Sequence, residues 1–201
     1  MSKSSGNFLT LEDSIDKYSA DVTRLVLGLA GDDISDSNFD ELEANSIILK
    51  LSGLIDWYKK TLNNLPKSYA NFSYFDRIFN FSMNKYINKT RDAYLNMKYR
   101  EGIIYALFEM QNIRDKYLKF NKKPNSILIL KFMKMQLLLL APIIPHTTQY
   151  LWSLFNESVL MIQAFPSYMN EDENFLRTND YIDDLISNIN KIKNKKNNYE
   201  K

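Results

Sequence analysis

Apolar residues recur every three or four positions along most of this chain, the period of one helix face. In "TLEDSI", Thr10 stands as an N-cap with Asp13 three residues on, a capping-box spacing. Ile15, Tyr18, Val22, Leu25 and Leu29 carry the stripe onward, and Gly28 and Gly31 before "DDISDSN" end that helix in an acidic loop. A second helix is predicted over 39 to about 62: Ile47, Leu51, Leu54 and Tyr58 form its stripe, with Ile48, Ile55 and Leu62 alongside. "NNLPKSYANFS" reads as a connector, and a third helix over 74–97 points Phe79, Met83, Tyr86, Thr90 and Tyr94 inward. After a break at "KYREG", a fourth aligns Ile103, Leu107, Met110, Ile113 and Tyr117.

"NKKPNS" interrupts, and the fifth helix, from Ser126, is apolar almost all round, which marks it as central. "APIIPH" must bend or stop it, because proline lacks a backbone donor and clashes with the preceding turn. "TTQYLWSLF" resumes helically, and "SVLMIQAFP" suits a strand or an extended connector. The final stretch "ENFLRTNDYIDDLISNINKIKNKK" sets Phe175, Tyr181, Leu185, Ile189 and Ile192 on one side before a basic tail expected to fray. The fold class expected is all-α, a bundle of antiparallel helices with short connections.

Composition narrows the chemistry. With no cysteine there is no disulfide or thiolate, and one histidine is too few for a zinc site, so no metal is expected. An intracellular, reducing compartment is the natural reading, although zero cysteine permits any. The most lipophilic window carries Lys131 and Lys134 and ends in two prolines, so a soluble protein without a membrane span is expected. Neither GxGxxG nor GxxxxGK[ST] occurs, which excludes a Rossmann or P-loop nucleotide domain from these residues. His146 beside Pro145 lacks an orienting constellation, and capping a helix or packing on Trp152 is the role expected of it. The adjacent carboxylates at Asp32–Asp33 and Asp183–Asp184 diverge by about 100° on a helix and do not converge on one proton. Trp57 and Trp152 are expected to reach the surface or to be buried with one partner.

Net charge is only +2, but it is unevenly spread. Residues 12–43 hold ten acids against Lys17 and Arg24; residues 85–123 hold ten bases against Asp92, Glu101, Glu109 and Asp115. The basic region fits either solvated helix faces or a surface for a polyanion. At the opening, Lys3 with Ser2, Ser4, Ser5 and Gly6 has the donors and backbone freedom to hold phosphate oxygens, a composition shared with plain disordered termini.

The words around Lys3 add a resemblance. "MSKSSGNFLTL" resembles the KMSKS signature of class I aminoacyl-tRNA synthetases without its first lysine. "SIDKYSADVTRLVLGLAGDDISDSNFDELEANSIIL" is similar to the archaeal and eukaryotic cytosolic type of leucyl-tRNA synthetase. Isoleucine, valine and methionine relatives usually carry Tyr-Gly-Ala-Asp where this chain has Tyr18-Ser19-Ala20-Asp21, and Phe8 to Leu11 also points to leucine. "LAPIIPHTTQYLW" resembles the APxxPHxxExxW stretch of the anticodon-binding-type helical domain, with Gln149 in place of the usual Glu.

The resemblance implies a leucine–tRNA ligase in which Lys3 is the catalytic cation on the ATP phosphates, flanked by Ser2 and Ser4. Mg²⁺ would come with the ATP rather than with residues of this chain. It implies tRNA-Leu as partner, held through Lys85, Lys89, Arg91, Lys98, Arg100, Arg114 and Lys116. Leucine and ATP would be bound by a catalytic domain preceding Met1, so the chain is expected to be a fragment that is inactive alone. No DNA or membrane partner is implied, and the cytoplasm is the expected compartment. Residues 1–9 would end the KMSKS loop and 10–40 form a connecting helix and acidic loop. Residues 41–166 would be the anticodon-binding-type bundle, and 167–201 an amphipathic helix and basic tail. Asp21 and Arg24 are expected to form a structural ion pair. A free-standing helical RNA-binding or interaction module derived from a synthetase is the alternative.

Overall fold

The computed structural model describes residues 9–31, 39–65, 71–155, 159–170 and 172–199, with side chains of the last helix described selectively up to Ile192. Every regular element among the described residues is helical. The elements are α1 (Leu11–Tyr18), α2 (Ala20–Ala30), α3 (Glu41–Asn63), α4 (Tyr74–Leu95), α5 (Tyr99–Ile103), a π turn (Ile104–Glu109), α6 (Met110–Phe120), α7 (Ser126–Leu140), α8 (Pro145–Ser153), a 3₁₀ turn (Leu160–Ile162) and α9 (Glu173–Tyr199).

The first predicted helix is two helices. Thr10 caps α1 as expected, its hydroxyl accepting from the Asp13 N–H at 3.0 Å, while Asp13 turns its carboxylate onto the Thr10 hydroxyl. The chain then bends at Ser19, whose φ of 79° and ψ of 158° lie in a region that glycine occupies and side chains resist. Ile15, expected in the core, is therefore left 40% exposed, while Tyr18, Val22 and Leu25 are buried. Gly28 does not end α2. A Cβ there would stand 2.5 Å from Ile103, so the missing side chain lets α2 lie against α5, and the helix ends at Gly31, with φ 148°.

Relief of the strain at Ser19 is measurable. Ser19→Gly removes a conformational cost of about 1–3 kcal/mol. It gives back a few tenths for the weak 3.5 Å cap to Val22 and up to about 1 kcal/mol of unfolded-chain entropy. The expected result is a Tm about 2–4 °C higher by calorimetry.

α7 is the central helix, as its all-round apolarity requires: among its residues only Ile127 is exposed. α3 presents the predicted stripe of Ile47, Leu51, Leu54 and Tyr58 to the core. The Tyr58 hydroxyl donates to the Met133 carbonyl at 2.9 Å, and the Gln136 side chain donates to the Ala106 carbonyl within the π turn at 3.2 Å. A wide turn breaks the regular hydrogen-bond ladder, and the fully buried Gln136 supplies a donor inside it. α4 and the α5–α6 rod pair as a hairpin, where Gly102 leaves room for the Tyr94 ring.

α4 is secured at its start by a capping box between Ser73, the last residue of the predicted connector, and Asp76, in the first turn of the predicted helix. Ser73 and Asp76 exchange bonds of 2.8 and 3.2 Å between side chains and backbone N–H groups. Asp76 is buried, and its other oxygen accepts from the Tyr117 hydroxyl and, at 3.1 Å, from Asn121. Tyr117 in turn accepts from the Asn125 N–H at 2.8 Å and stacks on Phe79, ring centroids 4.3 Å apart. The loop 121–125 is thus tied to both α4 and α6 before α7 begins.

The stretch after the 3₁₀ turn is an extended connector. Asn88 on α4 engages both backbone groups of Met169 at 2.8 and 2.9 Å, and Asn84 donates to the Asn170 carbonyl at 2.8 Å. α9 continues through the tail expected to fray, to Tyr199. No helix among the described residues is long and apolar enough to cross a membrane.

Candidate nucleic-acid interface

Two distant parts of the sequence meet behind the bundle. Asp21, buried on α2, accepts at 2.7 Å from both the N–H and the hydroxyl of Thr147, in the first turn of α8. α8 has no capping side chain of its own, so a carboxylate 126 residues earlier serves as its cap. Arg24 completes the expected ion pair with Asp21 at 3.3 Å. His146, expected to cap or to pack, is exposed instead, because Thr147 and Asp21 already fill that role. Gln149 accepts from the Leu160 N–H at 2.9 Å, a contact that requires an acceptor and no charge. Trp152 is buried, and its indole N–H finds no hydrogen-bond partner among the described residues; Trp57 is half-buried under the Arg114 guanidinium.

The seven basic residues singled out from the sequence are divided among different surroundings. Arg114 is 9% exposed, paired with Asp115 at 2.7 Å and set 4.4 Å from the Trp57 ring centroid. Arg91 donates to the Pro166 carbonyl at 3.0 Å and lies over Tyr168, clamping the connector to α4. Both arginines are engaged inside the fold. Lys98, which bonds Glu101 at 3.2 Å, and Arg100 are exposed at the tip of the α4–α5 hairpin.

Lys85, Lys89 and Lys116 gather at a groove of about 410 Å³ between α4, α6 and α9. Lys85 and Lys116 line it with Tyr74, Phe75, Tyr86 and Phe120, and exposed Lys89 spans the rings of Tyr86 and Tyr105 at 5.9 and 5.2 Å. Tyr86 donates to Glu109 at 3.0 Å; burial, then that carboxylate's charge, pushes its phenol pKa up, so the hydroxyl remains a neutral donor. Exposed Lys119, Lys122 and Lys123 extend the positive edge past α6. Among the described residues, no group of three or more His, Cys, Asp or Glu is placed to hold a metal ion. Ser2, Lys3 and Ser4 and the Asp32–Asp33 pair lie outside the described residues, as does the Asp183 side chain.

The family described as "Anticodon-binding domain of tRNA ligase" matches residues 76–201, more than half of the chain. The chain belongs to this family. The chain is 36% identical over 193 residues to the cytoplasmic leucine–tRNA ligase of Saccharomyces cerevisiae, a match covering 94% of this chain and 18% of that protein. It is likewise 36% identical to the Dictyostelium discoideum cytoplasmic enzyme, over the same shares. To the Archaeoglobus fulgidus leucine–tRNA ligase it is 30% identical, covering 96% of this chain and 20% of that one. The chain thus spans about a fifth of the length of these curated relatives. Its fold matches that of LeuRS from Agrobacterium radiobacter K84, solved with tRNA and LeuAMS, with a TM-score of 0.66 at 17% identity, over 88% of this chain and 22% of that one.

Asp21 of "YSAD" and Thr147 of "APIIPHTT" join two stretches 126 residues apart.

Proposed function

We propose that this chain is the helical tRNA-binding part of a cytoplasmic leucine–tRNA ligase, which joins leucine to ATP, releases pyrophosphate and passes leucine to the terminal ribose of tRNA-Leu. The observation that carries the reading is 36% identity to cytoplasmic leucine–tRNA ligases across 94% of the chain. The exposed Lys89 and the half-buried Lys85 and Lys116 beside the α4–α6 groove supply the cations that a phosphate backbone needs. Lys85, Lys89 and Lys116, with Lys98 and Arg100 at the hairpin tip, hold the tRNA by position rather than by base sequence. Arg91 and Arg114 contribute by keeping the connector and α3 in place.

In the same reading, Lys3 neutralises the ATP phosphates in the longer ligase, with Ser2 and Ser4 shaping its loop. ATP is a substrate, and Mg²⁺ accompanies it. Leucine is held by an α/β domain other than these helices.

Binding of tRNA-Leu, measured by filter retention over a salt series, is expected to weaken steeply with ionic strength as counterions are released. Lys85→Glu and Lys89→Glu each flatten the logarithmic salt slope by about one unit. A slope unchanged in both variants would contradict the assigned face.

A further inference from the structure

Tyr74, Phe75 and Phe120 are aromatic residues that stay about two-fifths exposed, at 41%, 42% and 39%, and all three line the groove between α4, α6 and α9. Their places are fixed from behind. Tyr74 and Phe75 open α4 directly after the Ser73 cap, and Phe120 ends α6 beside Asn121, whose amide donates to Asp76 at 3.1 Å. The buried Asp76 carboxylate thus holds the α4 and α6 parts of the rim against each other. On the α9 side, Phe175 packs against Tyr74 and Phe81, with ring centroids 5.3 and 5.7 Å away, and Arg77 lies 5.5 Å from the Phe175 ring. A rim held in this way loses little conformational freedom when a partner docks on it.

The groove's volume of about 410 Å³ falls in the range of small-ligand pockets. Part of its wall is the stacked pair Phe79 and Tyr117. Ammonium groups stand beside these rings. Lys85 and Lys116 line the groove, and the Lys119 amine lies 5.5 Å from the centre of the Phe120 ring, with exposed Lys122 and Lys123 just beyond. Aromatic faces interleaved with amines suit a nucleotide unit, whose base stacks while the phosphates on either side meet the cations. Glu109 and Asp180 also line the groove, and like charge there disfavours a phosphate. The neutral base is therefore the part that enters, and the phosphates stay at the lysine edge.

We propose that this groove receives one unpaired base of the bound RNA, stacked on Phe75 and Phe120, with the flanking phosphates at Lys85 and Lys119. The inference rests on the reading of the chain as a tRNA-binding part. It adds a pocket for a base to a surface that otherwise offers only charge. Every base has a π face, so the contact fixes the position of the tRNA without selecting a sequence. A blunt double helix has no base to give: its bases stay paired and stacked, and only its phosphates reach the lysines.

The test compares tRNA-Leu with a blunt RNA duplex of about 12 base pairs, each bound to the 201-residue chain at one salt concentration. Phe120→Ala and Phe75→Ala should each raise the Kd for tRNA-Leu about tenfold and leave the duplex unaffected, which also shows that the bundle is intact. Their salt slopes should match the wild type, because no cation is lost. Phe120→Trp should restore tRNA binding, and Phe120→Leu, apolar but without a π face, should not. Rescue by leucine as well as tryptophan, or equal weakening of the duplex, would make the rim mere packing and overturn the proposal. If Lys85→Glu and Lys89→Glu flatten the salt slope while Phe120→Ala and Phe75→Ala change nothing, the tRNA reading stands and the base pocket falls. No binding of tRNA-Leu by the wild-type chain overturns both.

Discussion

Asp76→Ala is expected to lower the stability of the bundle by about 3–5 kcal/mol, read as a fall in the urea midpoint at unchanged m-value. The carboxylate is 4% exposed and receives three donors: the Ser73 N–H, the Asn121 amide and the Tyr117 hydroxyl. Removing it strands all three in a region that water does not reach, and each stranded donor costs about 1–3 kcal/mol. It also takes a negative charge from the first turn of α4, where the aligned peptide dipoles favour one. Tyr117→Phe is the milder change, about 1–2 kcal/mol, because only one end of the network opens. The double variant should fall short of the sum of the two by more than about 0.5 kcal/mol, since both substitutions break the same bond. Additivity would show that the network stores nothing beyond its separate bonds.

Lys3→Ala, introduced into the longer ligase, is expected to slow ATP–pyrophosphate exchange about 10²–10³-fold. The proposed role of this ammonium is to meet negative charge as it builds on the departing pyrophosphate, so its loss raises the barrier rather than weakening the resting complex. Lys3→Arg keeps the charge in a different shape and should recover part of the rate. Affinity for tRNA-Leu should be unchanged in both variants, because the phosphates it meets are those of ATP. Exchange at the wild-type rate in Lys3→Ala would remove the lysine from the reaction.

Burial periodicity made most of the helices legible in the sequence. α3 and α7 were readable because their apolar residues either form one stripe or surround the helix, and both patterns admit a single packing. The break at Ser19 was hidden by the same periodicity, which runs on through Tyr18 and Val22 while the backbone turns. A serine in a glycine conformation carries no compositional mark; only the comparison of "YSAD" with the glycine usual at that place hinted at it. The Ser73–Asp76 box was written plainly in "SYFD" yet straddled the boundary between a helix and a connector rich in Asn, Pro and Ser, whose turn chemistry masked it.

The basic residues were harder to place. Ten positive charges in 85–123 say nothing about which side of a helix each occupies. Arg114 was drawn inside by the flat guanidinium–indole contact and Arg91 by a backbone carbonyl, and both depend on partners far along the chain. The Asp21–Thr147 contact spans 126 residues and is invisible to any local rule.

The π turn at Ile104–Glu109 has a consequence for the lysines beyond it. It holds one residue more than a regular ladder would, so everything after it is rotated by about 100° from where an uninterrupted helix would put it. Deleting a single residue there would restore ordinary spacing and turn Lys116 and its neighbours off the groove, leaving their number and charge intact. Over this stretch, the length of the chain, as much as its composition, aims the positive edge.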